Sequence, residues 1–534
     1  MKLIDKLKTM ITKTHLTIAL FVVVIFQNII DMDYLLYPLL ASTPIPLPST
    51  IINLLLVPLL IFLTFIILEE KKKTVLLIVV PYGILLGVYF LLHHNVTVEL
   101  FQVLRLPQNF SYSVVTEALY IYRLMLPIAL LYTTFKLEFE AKLVEKGIVI
   151  LSAITSIPLV VANLFTFGPS TYQGNTVANM FSWFFGIYEH YDRTLFGINM
   201  NFDTVYHPRF LATQFFFKEG NTTGIVMFMV LPLLILVFQR TRNKKIIPLI
   251  FTHCLAMFVL ATRVATYGVL LVIIAMLAGY IFFVLLKKIK FDKLFVGSMA
   301  GLLIAFALIF PFSPAYVNMQ VDAMNDGFVK EDDYLLERGR EGLGDIPDMD
   351  PFSQEYLDFY TYMFEEYAFL ISSIPKPYYM KYYDYRLDPK FWVDVIFDYD
   401  LEERVSGRQF QRIFFNVKHA NLTSYQKLFG FGYTRFMMGS IVLEKDFTMH
   451  YFTFGPIGMF LFFVPWLIAI LFIVFRFFAD FKRNFNLELM AFAIAIFGGL
   501  MAAYMSGHVM DQYATSFLLA WLLGIVIHNV KKTS

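Results

Sequence analysis

The sequence predicts an all-α polytopic membrane protein with about twelve transmembrane helices, and three observations carry that prediction. The 534 residues are 58% hydrophobic and only 16% charged, where a soluble domain is about half apolar and about a quarter charged. Apolar runs near the roughly 20 residues that cross about 30 Å of hydrocarbon recur along the chain. Basic clusters then alternate with those runs so that every cluster falls on one side of a membrane.

In chain order the runs lie at about 15–31, 50–68, 74–93, 115–135, 147–167, 222–239, 246–262, 264–286, 292–312, 453–477, 488–508 and 514–530. The basic clusters are Met1 to Lys13, Lys71 to Lys73, Lys136 to Lys146, Arg240 to Lys245, Lys287 to Lys293, Arg476 to Arg483 and Lys531-Lys532. If each run spans once, all seven clusters share a side, which the positive-inside rule makes the cytoplasm. Both termini are then cytoplasmic. The first run lacks a small-residue cleavage site and reads as a span that stays. The organisation follows as a membrane domain over 1–312 with about nine transmembrane helices, a large extracytoplasmic loop over 313–452 with a helical subdomain, and a membrane domain over 453–534 with about three.

A lone cysteine, Cys254, lies inside an apolar run, so neither a disulfide within the chain nor a cysteine-based metal site is expected. The external connections hold the polar chemistry. Residues 32–49 carry Pro38, Pro44, Pro46 and Pro48 and read as a rigid loop against the membrane. Residues 168–221 are rich in Tyr, Phe, Asn and Gly and include Trp183, Arg193, His207 and Arg209. The large loop is acidic first, with 21 Asp and Glu against 7 Lys and Arg over 313–403, and then basic, with 2 against 7 over 404–452. The acidic half reads as a solvated face, and the tyrosines from Tyr378 to Tyr385 as a sugar-stacking surface or an interfacial belt.

Charge converges on the stretch from Ser406 to Gly458. It holds Ser406-Gly407-Arg408, Arg412, Phe429-Gly430-Phe431-Gly432, Glu444-Lys445-Asp446-Phe447, His450 and Phe454-Gly455-Pro456-Ile457-Gly458, where the next apolar run begins. Two more arginines stand at informative depths. Arg263 separates two apolar runs at the external end of a tight hairpin, and Arg123 lies inside the run that also contains Glu117. Intramembrane charges are costly and point to function, with a structural ion pair as the alternative for Arg123 and snorkelling to the interface for Arg263. Arginine suits phosphate because its planar fork donates two parallel hydrogen bonds and stays charged.

These residues resemble the O-antigen ligase and polysaccharide polymerase family of bacterial membrane proteins. The resemblance rests on about twelve spans, on Ala261-Thr262-Arg263-Val264-Ala265-Thr266 at the hairpin, and on one large late external loop. Within and after that loop it rests on Ser406-Gly407-Arg408, Gly430-Phe431-Gly432 and Gly455-Pro456-Ile457-Gly458, and earlier on Gly220-Asn221 leading into a helix. Many ligases of the family place a histidine shortly before the equivalent of Gly455. Here the segment opens with Glu444-Lys445-Asp446-Phe447 and reaches a histidine only at His450, which resembles the Gram-positive-type branch.

The resemblance implies glycosyl transfer from an undecaprenyl-diphosphate-linked glycan on the outer face of the bacterial cytoplasmic membrane. The acceptor would be another glycan, a lipid or a cell-wall hydroxyl. Arg263 and Arg408, with Arg123 or Arg412 assisting, would bind the diphosphate, and Asp446 or Glu444, then His450, would serve as general base. The structural alternative for the two carboxylates is ion pairing that fixes the loop. No metal and no cofactor are expected. Membrane lipids are expected partners and nucleic acid is not. A transporter or flippase of lipid-linked oligosaccharides is the alternative; it predicts internal repeats and midplane charges, whereas no repeat is evident and the charges gather at the external face. A scaffold or sensor lacks a cytoplasmic domain to receive a signal. Asp31-Met32-Asp33 in the first external connection offers a second enzymatic reading, or an ordinary helix end.

Overall fold

A computed structural model of the chain describes residues 10–103 (41 and 44 excepted), 112–326 (173, 190, 193, 196, 197 and 200–203 excepted), 337–341 (339 excepted), 349–399 (351, 352, 368–373 and 375 excepted), 407–433 and 443–531. The protein is an all-α polytopic membrane protein. The apolar helices in order are α1 Lys13–Leu40, α2 Pro48–Leu68, α3 Lys72–Leu100, α4 Val114–Leu137, α5 Ala141–Leu164, α6 Gly220–Thr241, α7 Ile246–Leu260, α8 Arg263–Leu285 and α9 Lys293–Phe312. The large loop contributes α10 Pro314–Asp326, α11 Gln354–Tyr367, α12 Pro389–Phe397, α13 Gly407–Ala420 and α14 Ser424–Phe429. Three more apolar helices follow, α15 Asp446–Ala479, α16 Leu487–Met505 and α17 Tyr513–Lys531.

All twelve expected runs are helical. Eleven are long and apolar enough to cross a membrane, and α7 is a shorter apolar helix of 15 residues. Helix is what hydrocarbon demands, because only there does every backbone N–H and C=O find its partner within the segment. Sheet among the described residues is limited to two ladders of two-residue strands in the 168–221 connection, Ile187–Tyr188 beside Val205–Tyr206 and Thr194–Leu195 beside Ile198–Asn199.

The chain forms two compact units, one from 1–76, 123–321 and 464–534, the other from 77–122 and 322–463. The centre of the first is α6, which packs against α5, α7, α8, α16 and α17 and buries nearly all of its length. Small residues on its neighbours let it approach. A Cβ at Gly498 would lie 1.8 Å, and one at Gly268 2.3 Å, from the Phe228 ring of α6, and a Cβ at Gly499 would lie 2.7 Å from Met229 Sδ. Small residues play this part in membrane bundles, where packing rather than water exclusion draws helices together. Cys254 is fully buried in α7.

In the second unit the loop helices surround Trp392, which is 0% exposed. The Trp392 indole N–H donates to the Tyr383 carbonyl at 3.0 Å, and its ring stacks on Phe410 at 5.6 Å. Asp388 caps α12 by accepting from the Phe391 amide, accepts from the Tyr383 hydroxyl at 2.6 Å and pairs with Lys418 of α13. The Tyr378–Tyr385 run therefore does not lie as a free surface: Tyr379, Tyr383 and Tyr385 are buried in this core. Aromatics at close spacing were the only signal, and close spacing does not say which side faces inward.

Candidate active site

The expected start of the tenth span at 453 lies inside a longer helix, because α15 begins at Asp446 and is interrupted at Gly455 (φ 64°, ψ 176°). Sequence explains the break. In an unbroken helix the Phe452 carbonyl would accept from residue 456, but Pro456 has no N–H. That carbonyl instead accepts from the Phe431 amide at 2.8 Å, and the Thr453 carbonyl from the Gly432 amide, also at 2.8 Å. The two backbones meet so closely that a Cβ at Gly430 would lie 2.5 Å from the Gly455 nitrogen, and one at Gly455 2.2 Å from the Leu428 carbonyl oxygen. Gly430, at φ 78° and ψ −170°, also occupies a region open essentially only to glycine. The paired glycines of the sequence thus tie the 428–433 turn to the head of α15.

A buried carboxylate fixes the same turn from the other side. Glu117 of α4 is 0% exposed and accepts at Oε1 from His93 Nε2 (2.6 Å) and the Tyr433 amide (2.9 Å), and at Oε2 from the Tyr112 hydroxyl. His93 Nδ1 faces the Phe429 carbonyl at 2.7 Å. A carbonyl only accepts, so Nδ1 carries a proton, and one further proton lies between Nε2 and Oε1. Burial, and after it the Glu117 charge, push the Tyr112 phenol above the usual tyrosine range, which keeps it a donor.

Tyr433 stacks flat on Tyr120 with ring centroids 3.9 Å apart, and the Tyr120 hydroxyl meets His450 Nε2 at 3.2 Å. His450, 0% exposed, turns Nδ1 to the Asp446 carbonyl one helical turn back. Asp446 is itself 1% exposed at the first position of α15, where the positive end of the helix dipole suits a carboxylate, and Glu444 is half-buried two residues earlier.

In the first unit a second turn presents Arg263 as the opening residue of the 23-residue helix α8. Ala261 adopts φ 56°, the Thr262 hydroxyl caps α8 by accepting from the Ala265 amide at 3.3 Å, and the Ala261 carbonyl accepts from the Tyr172 hydroxyl at 2.7 Å. The 168–221 connection adds a bond from the Thr213 amide to the Val259 carbonyl at 3.0 Å. Arg263 is exposed at this helix N-terminus, a place where free amides and the dipole already favour anions.

A family model described as an O-antigen ligase like membrane protein matches residues 13–533. The chain belongs to that family. No curated protein and no solved structure matches it. Membership makes this O-antigen-ligase-like chain a glycosyltransferase-like membrane enzyme of the lipid-linked glycan ligase or polymerase type, with lipid-linked glycans and membrane lipids as its partners.

The expected site residues of the ligase-like chain divide between the units. Glu444, Asp446, His450 and Arg412 lie in the second, Arg412 on an exposed face of α13; Arg408 precedes it by one turn in the same helix, and its side chain lies outside the described residues, as do Ser406 and Arg435. Arg263 and Arg123 lie in the first. Arg123 Nη2 donates to Gln512 Oε1 at 3.0 Å and its guanidinium sits 5.2 Å from the Tyr513 ring centroid. Asp31 accepts from the Gln27 amide at 2.8 Å and Asp33 from the Ser49 amide, so both are engaged in shaping the first connection. Sequence reasoning did not single out His93, Tyr112, Tyr120 or Tyr433. The one signal toward them was Glu117, an ionisable residue inside an apolar run.

Proposed function

We propose that the chain transfers a glycan from an undecaprenyl-diphosphate donor at the outer face of the bacterial cytoplasmic membrane to a hydroxyl of a second glycan, a lipid or the cell wall. The match to the ligase-like family over residues 13–533 carries this reading. The acceptor oxygen attacks the anomeric carbon, its proton passes to a carboxylate, and the bond from that carbon to the diphosphate breaks with the electron pair leaving on phosphate. Charge grows on the leaving oxygens. Arg263 and Arg408 meet it with charge-assisted hydrogen bonds aimed in advance, and Arg412 or Arg123 assists.

Asp446 or Glu444 is the base. Support comes from the tied corner, which fixes the main chain on both sides of the acidic segment, and from His450, whose two ring nitrogens already face the Asp446 carbonyl and the Tyr120 hydroxyl. With both termini cytoplasmic, α7 counts as a span and the large loop is external. A strain lacking the gene tests the reaction. Accumulation of single lipid-linked repeats marks a polymerase, accumulation of full-length lipid-linked polymer marks a ligase, and accumulation of neither refutes glycosyl transfer.

A further inference from the structure

At the end of α8 remote from Arg263, the ends of α6 and α8 and the start of α16 surround an open cavity of about 460 Å3. Its charge is one-sided. Arg240, Lys288, Lys482 and Arg483 line it against the single acid Glu488, while Leu236, Phe283 and Leu487 supply an apolar wall. The cavity is preformed. Lys288 Nζ donates to the carbonyls of Lys482 (3.0 Å) and Phe485 (2.5 Å) and stands 5.0 Å over the Phe485 ring, which braces the short turn that leads into α16. Arg240 joins Glu488 of α16 to Glu145 of α5, the latter at 3.4 Å. Past that pair a narrower, mainly apolar fissure runs on between α5, α6, α16 and α17.

We propose that this cavity holds the headgroup of an anionic glycerophospholipid. The helices that frame it are membrane-spanning, so their ends lie at headgroup depth, where a basic recess between spans complements a phosphodiester. A zwitterionic lipid brings no net charge to match four bases against one acid, and a free phosphate leaves the apolar wall uncovered. The site belongs to the bundle, uses none of the residues assigned to glycosyl transfer, and stands or falls separately from that reading.

The test uses the purified full-length chain, stripped of lipid and titrated with phosphatidylglycerol or phosphatidylcholine, with bound lipid counted by native mass spectrometry. Wild type should take one phosphatidylglycerol in preference to phosphatidylcholine. Lys482→Gln with Arg483→Gln should weaken that first binding roughly thirtyfold, about fivefold for each charge removed. Both side chains are exposed, and Lys288 is received by the main-chain carbonyl of Lys482, which the substitution leaves in place. Lys71→Gln with Lys73→Gln removes the same charge from exposed positions at another helix end and should leave the first binding intact. Equal uptake of the two lipids, an equal loss in the control pair, or displacement of phosphatidylglycerol by millimolar inorganic phosphate would each overturn the proposal.

Discussion

Replacing Gly430 by alanine probes the corner that joins the 428–433 turn to α15. The new methyl carbon would sit 2.5 Å from both the Gly455 nitrogen and the Phe452 oxygen, and 2.7 Å from the Thr453 oxygen. All three are main-chain atoms, so no side chain can swing aside. The backbone angles of Gly430 cost a non-glycine residue about 1–3 kcal/mol, and overpacking adds about 1–3 kcal/mol. The corner should therefore open at a local cost of about 2–6 kcal/mol, releasing the Phe431 and Gly432 amides from their acceptors. Hydrogen exchange reads this directly: protection of those two amides should fall at least about thirtyfold, since each 1.4 kcal/mol is tenfold, and glycan transfer should fall with it. Gly297→Ala is the control, because nothing lies within 4 Å of its added methyl and alanine in a helix interior is neutral to about 1 kcal/mol stabilising. Unchanged protection at Phe431 in Gly430→Ala, or an equal effect from Gly297→Ala, would show that the corner does not hold the turn.

Arg263→Ala and Arg408→Ala should each abolish transfer while leaving the amount of protein in the membrane unchanged; normal product from either variant, analysed from purified membranes, removes that arginine from the mechanism. Glu117→Gln should destabilise the second unit by about 3–5 kcal/mol, the usual cost of breaking a buried pair, and His93→Gln in the same chain should restore part of the loss; additive losses in thermal unfolding would mean that the two residues act independently. The loop core should respond to pH in two steps. Burial pushes the Asp394 carboxyl up to about 6 even with Lys390 at 2.7 Å, whereas at Asp388 burial is outweighed by Lys418, which holds the carboxyl below its ordinary 3.8. A raised folded value gives a contribution complete below 3.8 and lost as the pH rises through about 6; a lowered one gives a contribution present above 3.8 and lost as the pH falls through the lowered value. The protection of α12 amides, taken relative to the intrinsic exchange rate at each pH, should thus rise from pH 7 to 4 and fall again below, and Asp394→Asn should remove the first change; protection that does not vary with pH in wild type contradicts the assignment.

Much of the membrane architecture was legible because lipid tolerates few alternatives. A run of apolar residues of spanning length has to become a helix, and each of the twelve did. What composition does not encode is where a helix begins in polar surroundings. Asp446 to Thr453 reads as the end of a loop until Pro456 is recognised as a missing donor and the Phe452 carbonyl as a free acceptor for a distant turn. Partners far apart in sequence were equally hidden. Nothing near Glu117 announces Tyr433, and the contact of Arg123 with Gln512 carries no opposite charge to betray it. The tyrosines of 378–385 show the same gap, since aromatic rings suit a sugar, an interface and a core alike.

The position of α6 has a consequence for biogenesis. It enters the membrane as the sixth apolar segment, yet α16 and α17, which cover much of it in the finished bundle, are translated only after the whole large loop. Until then Phe228 and Met229 lack the glycines at 498 and 499 that accommodate them. Chains truncated ahead of Leu487 will therefore present a bare, lipid-facing flank on α6 to quality-control proteases and insertion chaperones, and the last two helices act as the seal that ends that exposure.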